Sequence, residues 1–166
     1  MSELFHIGLT VASLDRTTEF YRDVIGMRDD YEWNKRKDWS GAKFGETTCG
    51  VQYVQFQTET FGKLTHNPGA EIKTAYLSSD GGLLLQLTEY VQGGGDPVKL
   101  EHAKPGSPHF CFYVDDSAAL REKLVQRGDV TILSELTQIT SEMRSFYVAD
   151  PDGVPIELLQ RVKVNA

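Results

Sequence analysis

The chain has only two cysteines, Cys49 and Cys111, so it can close at most one disulfide, and a bridge-stapled scaffold is excluded. Cys111 lies in the strand-like run Phe110-Cys111-Phe112, where a free, buried thiol is the expectation. Long apolar runs are missing too. Nothing approaches the roughly 20 residues that a membrane-spanning helix needs. There is also no basic cluster: 17 Lys and Arg stand against 24 Asp and Glu, a net charge of −7. That excludes the basic face of a nucleic-acid binder and disfavours an anionic membrane surface as partner. The opening residues Met1-Ser2-Glu3-Leu4-Phe5-His6 show no basic stretch followed by an apolar one, so a cytoplasmic location is expected.

What is present is enough for a core. An apolar share of 40% over 166 residues suits one compact domain, or two half-size units that share one. A repeat favours the second arrangement. Residues 74–87 align without a gap over residues 145–158 at an offset of 71, with Tyr76 over Tyr147, Gly82 over Gly153 and Leu87 over Leu158. Each copy reads as strand, tight turn, strand. Upstream, His6-Ile7-Gly8-Leu9-Thr10-Val11 matches His109-Phe110-Cys111-Phe112-Tyr113-Val114. A helix is predicted after each. In the first, Ser13 or Asp15 caps, Leu14, Thr17, Tyr21, Val24 and Ile25 form the stripe, and Gly26 ends it. In the second, Asp116 or Ser117 caps, Leu120, Leu124 and Val125 form the stripe, and Gly128 terminates.

Module one therefore spans about residues 4–92, a linker about 93–106, and module two about 107–163. Residues 29–50, with Trp33, Arg36, Lys37, Asp38 and Trp39, read as a long surface excursion. Val51 to Gln57 reads as a strand and 58–69 as a loop.

Both first strands begin with His, and both last strands carry a polar residue inside an apolar run, Gln86 and Glu157. Period-two alternation points Gln86 and Glu157 to equivalent faces of the two copies. If the modules pack side by side, His6, Gln86, His109 and Glu157 can converge. Two imidazoles, one carboxylate and one amide oxygen make a donor set for a single divalent first-row ion, Fe, Ni, Co, Zn or Mn. An ionised Glu157 on an apolar strand would be costly without such a partner. His66 and His102 fall in loops and read as solvated.

These motifs, together with Leu14-Asp15-Arg16, Phe20-Tyr21-Arg22-Asp23-Val24-Ile25-Gly26-Met27 and Phe146-Tyr147-Val148-Ala149-Asp150-Pro151-Asp152-Gly153, resemble the vicinal oxygen chelate superfamily. Its members include glyoxalase I, methylmalonyl-CoA epimerase, extradiol dioxygenases and bleomycin-resistance proteins. The resemblance implies an α+β fold of two βαβββ modules forming a curved mixed sheet, within one domain spanning residues 1–166. It places the family's metal positions on His6, Gln86, His109 and Glu157, an order similar to the epimerase set.

By the same resemblance the chain would be a lyase or isomerase acting on a small α-hydroxycarbonyl or thioester through a metal-stabilised enediolate. Glu157 would be the base, and the Gln86 amide cannot take a proton. The resemblance also admits a ring-cleaving Fe(II) dioxygenase on His6, His109 and Glu157, with Tyr147, Tyr113 or His102 as the acid or base. A non-catalytic binding protein is the third reading. The partner is a small molecule. Many members are dimers, yet both halves lie in this one chain. Arg16, Arg22, Lys99, Lys104 and Arg144 are cations available to an anionic substrate; Arg144, on the strand before the Tyr147 hairpin, is the least ordinary of them.

Overall fold

The computed structural model describes residues 2–35, 39, 41–56 and 59–162. Arg36, Lys37, Asp38 and Gln57, which figured in the sequence reading, lie outside that set. The chain divides into two units, Met1–Pro97 and Val98–Ala166, with the boundary inside the Gly/Pro-rich connection.

Unit one runs β1 (Ile7–Val11), α1 (Leu14–Asp23), β2 (Arg28–Asp29), α2 (Tyr31–Asn34), β3 (Lys43–Glu46), β4 (Gln52–Phe56), α3 (Glu59–Thr65), β5 (Glu71–Ser78) and β6 (Leu84–Gln92). Its strands lie in the order β1-β6-β5-β4-β3, with β2 also on β5; β1 and β6 are parallel and the other pairs antiparallel. Unit two runs β7 (Phe110–Tyr113), α4 (Ser117–Arg127), β8 (Thr131–Ile132), β9 (Thr137–Thr140), β10 (Met143–Ala149) and β11 (Pro155–Arg161). Its order is β7-β11-β10-β8, with β9 also on β10, and again only the first pair is parallel. The two mixed sheets thus repeat one plan, the α+β arrangement of two sheet modules expected from the sequence.

Helix α1 begins where the Ser13 hydroxyl accepts from the Arg16 amide, 3.4 Å, and closes with Gly26 at φ +85°, a left-handed turn that favours glycine. Leu14, Thr17 and Tyr21 bury its inner stripe as the periodicity required. In α4 the Asp116 carboxylate accepts from the Ala118 and Ala119 amides, and Gly128 at φ +73° stops the helix. Leu124 is its buried anchor. Val125, expected in the stripe, is 53% exposed because it falls one step outside the buried arc.

One face of each hairpin is core: Ala75, Leu77, Leu85 and Leu87 in unit one, and Phe146, Val148, Ile156 and Leu158 in unit two. Tyr76, Gln86, Tyr147 and Glu157 alternate to the opposite face.

Two sequence expectations fail in unit one. Residues 29–50 hold β2, α2 and β3, and their Asn34 side chain is fully buried. Its amide nitrogen donates to the Tyr76 carbonyl (2.8 Å) and Asp29 (2.5 Å), and its oxygen accepts from the Tyr76 amide (2.7 Å). Residues 58–69, read as a loop, contain α3, whose Phe61 ring stands 5.6 Å from Phe56 and 6.4 Å from Tyr90. Tertiary contacts rather than local periodicity hold both segments, so no helical or strand pattern announced them.

Candidate metal centre

In unit two, residue pairing sets the geometry. Glu157 on β11 lies opposite Tyr147 on β10 and beside Cys111 on β7. The Tyr147 hydroxyl donates to Glu157 Oε2 at 3.1 Å. His109, two residues before Cys111, comes to the same face, and its ring centroid is 6.0 Å from that of Tyr147.

Unit one repeats the arrangement residue for residue. Gln86 lies opposite Tyr76 and beside Gly8. Gln86 Nε2 donates to the Tyr76 hydroxyl at 2.9 Å. The His6 and Tyr76 ring centroids are also 6.0 Å apart. Each unit therefore presents one imidazole, one strand-centre oxygen donor and one tyrosine bonded to that donor.

The environments differ around this common plan. In unit one, Phe5 and Trp33 enclose His6 and Tyr76, with Phe5 4.8 Å from His6 and Trp33 5.8 Å from Tyr76. His6 Nδ1 is buried with no hydrogen-bond partner among the described residues. An orphaned buried nitrogen costs about 1–3 kcal/mol unless something satisfies it. In unit two, Cys111 stands where unit one has Gly8. The residue is exposed, contrary to the buried thiol expected from the sequence, because Phe110 and Phe112 take the other face. Both cysteines are free. Partial burial of the sulfur first, then the charge of and hydrogen bond to Glu157, push the Cys111 thiol up to about 11. Burial, followed by the same carboxylate, pushes Tyr147 up to about 12. Tyr147 therefore keeps its proton and serves Glu157 as a donor throughout the neutral range.

His102 is exposed, as its loop position implied, and its ring lies 5.3 Å from His109 and, edge-on, 5.1 Å from Tyr147. Nothing in the linker signalled this. His66 is exposed at the end of α3, with φ 53°. Tyr76 was not singled out as a site residue, although its match to Tyr147 in the repeat was the available signal.

Among the described residues no three His, Cys, Asp or Glu side chains group closely enough to hold a metal ion. Of the four positions proposed from the sequence, His6 and Gln86 belong to one unit and His109 and Glu157 to the other, so neither unit supplies more than two. As a donor set they fit a first-row divalent ion: two neutral imidazoles, a carboxylate and an amide whose nitrogen is already engaged, leaving its oxygen to coordinate. The orphaned His6 nitrogen agrees with that fit.

The cations named as possible clamps are mostly spoken for. Arg22 bonds Asp23 and the Cys49 carbonyl, and Lys99 and Lys104 pair with Glu101. Arg144 bonds Gln160 at 2.9 Å and pairs with Asp116.

Known proteins resemble this chain. A protein of Bacillus subtilis, YwbC, is 26% identical over 156 residues, 94% of this chain and 95% of its own length. A probable lactoylglutathione lyase of Synechocystis is 24% identical over 157 residues, 95% of this chain and 94% of its own. The crystal structure of a glyoxalase family protein from Bacillus cereus superposes with a TM-score of 0.77 at 17% identity, covering 98% of this chain and 96% of that one. The family model described as Glyoxalase/Bleomycin resistance protein/Dioxygenase superfamily matches residues 3–158, both units and the connection between them, and the chain belongs to that superfamily.

Proposed function

We propose that the chain is a metal-dependent lyase or isomerase of glyoxalase type, moving the α-proton of a small α-hydroxycarbonyl or thioester substrate. One observation carries the reading: His109, Tyr147 and Glu157 are matched in register by His6, Tyr76 and Gln86. In this proposal His6, Gln86, His109 and Glu157 are the ligands of one divalent ion. When bound, such an ion supplies Lewis acidity, stabilising negative charge that develops on two neighbouring substrate oxygens.

The remaining work falls to the chain's own groups. Glu157 takes the α-proton and returns it, to the neighbouring carbon of an α-hydroxycarbonyl or to the opposite face of the same carbon in a thioester. Tyr147 holds the carboxylate by its 3.1 Å hydrogen bond and fixes its direction. Gln86 cannot accept a proton, so a single base does both transfers. The relatives named as lactoylglutathione lyases support proton-transfer chemistry of this class.

The test is elemental analysis of protein purified without chelator under nitrogen, alongside His109→Ala. About one nickel, cobalt, zinc or manganese per chain is expected, reduced at least tenfold in the variant. Deuterium from solvent should then enter the carbon next to the carbonyl of a turned-over substrate. Stoichiometric iron with oxygen uptake on catechols would instead establish ring cleavage. No retained metal, even after reconstitution, would leave a binding protein.

A further inference from the structure

The segment before β7 is irregular but tied down. The Lys104 amide donates to the Glu101 carbonyl at 2.8 Å, and the Ser107 amide to the Lys104 carbonyl at 3.1 Å, two successive turns. Lys99 and Lys104 both pair with the Glu101 carboxylate. These turns set His102, which belongs to no strand, against two residues of the candidate site. Its ring is 5.3 Å from His109 at a tilt of 39°, and 5.1 Å from Tyr147 at 78°.

Unit one completes the matched pair of His6 and Tyr76 with different chemistry. There the rings are Phe5, 4.8 Å from His6, and Trp33, 5.8 Å from Tyr76. Phe has no donor atom, and the Trp nitrogen keeps its proton and has no lone pair to give. Unit two uses an imidazole in that role. Among the described residues neither the His102 nor the His109 imidazole enters a hydrogen bond or an ion pair. Their spacing also suits a shared ion. With metal–nitrogen bonds of about 2.1 Å, a ring centroid lies about 3.2 Å from the metal. A separation of 5.3 Å then subtends about 110° at the ion, close to the tetrahedral angle.

We propose that His102 is a further ligand of the ion, supplied by the connecting segment rather than by the repeated modules. The proposal rests on the metal reading above for His109 and Glu157, and it holds whether or not unit one contributes. It breaks the even division that duplication gives the other four positions. His102, His109 and Glu157 do not group closely enough to hold an ion as they stand. Coordination requires His102 and Glu157 to turn toward His109 from Tyr147, the residue both now contact. An added imidazole also narrows the metal's class, because a nitrogen-rich set favours zinc or nickel over manganese.

Two measurements on the full chain, stripped with chelator and reloaded, decide it. The first loads cadmium-113 and records which histidine ring protons are coupled to the metal by NMR. His102 and His109 should both be coupled, and the His102 correlation should vanish in His102→Gln while that of His109 remains. Coupling at His109 without His102 overturns the proposal and leaves His102 as a ring packed on the site. Coupling at His102 and His109 but not at His6 sinks the four-position metal set and leaves this proposal standing. No coupling to any histidine overturns both.

The second measurement compares zinc and manganese affinities by chelator competition in the wild type, His102→Gln and His102→Phe. Phenylalanine keeps the ring against His109 and Tyr147 and removes only the donor nitrogen. Both variants should bind zinc at least about tenfold more weakly and manganese within about threefold of wild type. Zinc binding by His102→Phe equal to that of wild type, or equal weakening of the two ions, overturns the ligand role.

Discussion

Tyr147 and Cys111 approach Glu157 from adjoining strands, and burial first, then the carboxylate, holds both in their neutral forms. For Tyr147 this has a consequence for stability. The folded chain raises the phenol from 10.0 to about 12, so folding favours the protonated form. That contribution is complete below pH 10 and is lost as pH rises through about 12. In metal-free protein, tyrosinate absorbance should therefore include a phenol titrating near pH 12 that Tyr147→Phe lacks. The denaturant midpoint of the wild type should also fall more steeply than that of the variant across the same window. A titration unchanged by Tyr147→Phe would remove the donor role assigned to this hydroxyl. At this scale the sequence was partly legible. Alternation put Gln86 and Glu157 on equivalent faces of their own sheets, as the register has them. The same alternation, carried two residues past His109, places Cys111 beside Glu157, and four past Glu157 it reaches Arg161. Neither was read that way, because an apolar flank was weighed above the strand's period. For His102 the sequence named a possible acid or base but not its neighbours, since its position depends on the path of an irregular linker.

The elements themselves were clearest where local chemistry and tertiary packing agree. Helices α1 and α4 each have a side-chain cap, an apolar stripe and a left-handed glycine at the end, and each appears where those signals fall. The Asp116 cap satisfies two amides at 3.0 and 3.1 Å. Asp116→Ala should cost about 1 kcal/mol, and Asp116→Asn much less. For a chain of this size that is a fall in Tm of about 2–4 °C, measurable by thermal unfolding. A fall equally large in both variants would assign the effect to the Arg144 ion pair instead. Helices α2 and α3 were illegible for the complementary reason. Four and seven residues are too few to form a helix on propensity, and what orders them is Asn34 on the Tyr76 backbone and Phe61 on Phe56. Asn34 reaches Tyr76 across 42 residues, and Phe61 also meets Tyr90 far along the chain. They belong to unit one alone, which is why the repeat, so informative about the hairpins, said nothing about them.

Across the whole molecule, duplication divides the proposed ligands evenly, with an imidazole and an oxygen donor in each unit. This predicts how stability should respond to metal. A ligand that binds only the folded chain adds about 2.7 kcal/mol at a concentration a hundredfold above its Kd. That corresponds to a rise in Tm of roughly 5–11 °C when metal is restored to chelator-stripped protein. If one ion draws on both units, His6→Ala in the first and His109→Ala in the second should each abolish the whole rise. Each variant should also melt within a few degrees of stripped wild type, since no metal bond remains to be lost. Gln86→Ala should weaken the rise without abolishing it, because an amide oxygen is the poorest donor of the four. Should His109→Ala remove the rise while His6→Ala leaves it intact, the ion belongs to unit two alone. The donors would then be sought around His109, Cys111 and Glu157, and His6 would be a buried imidazole within its aromatic surround.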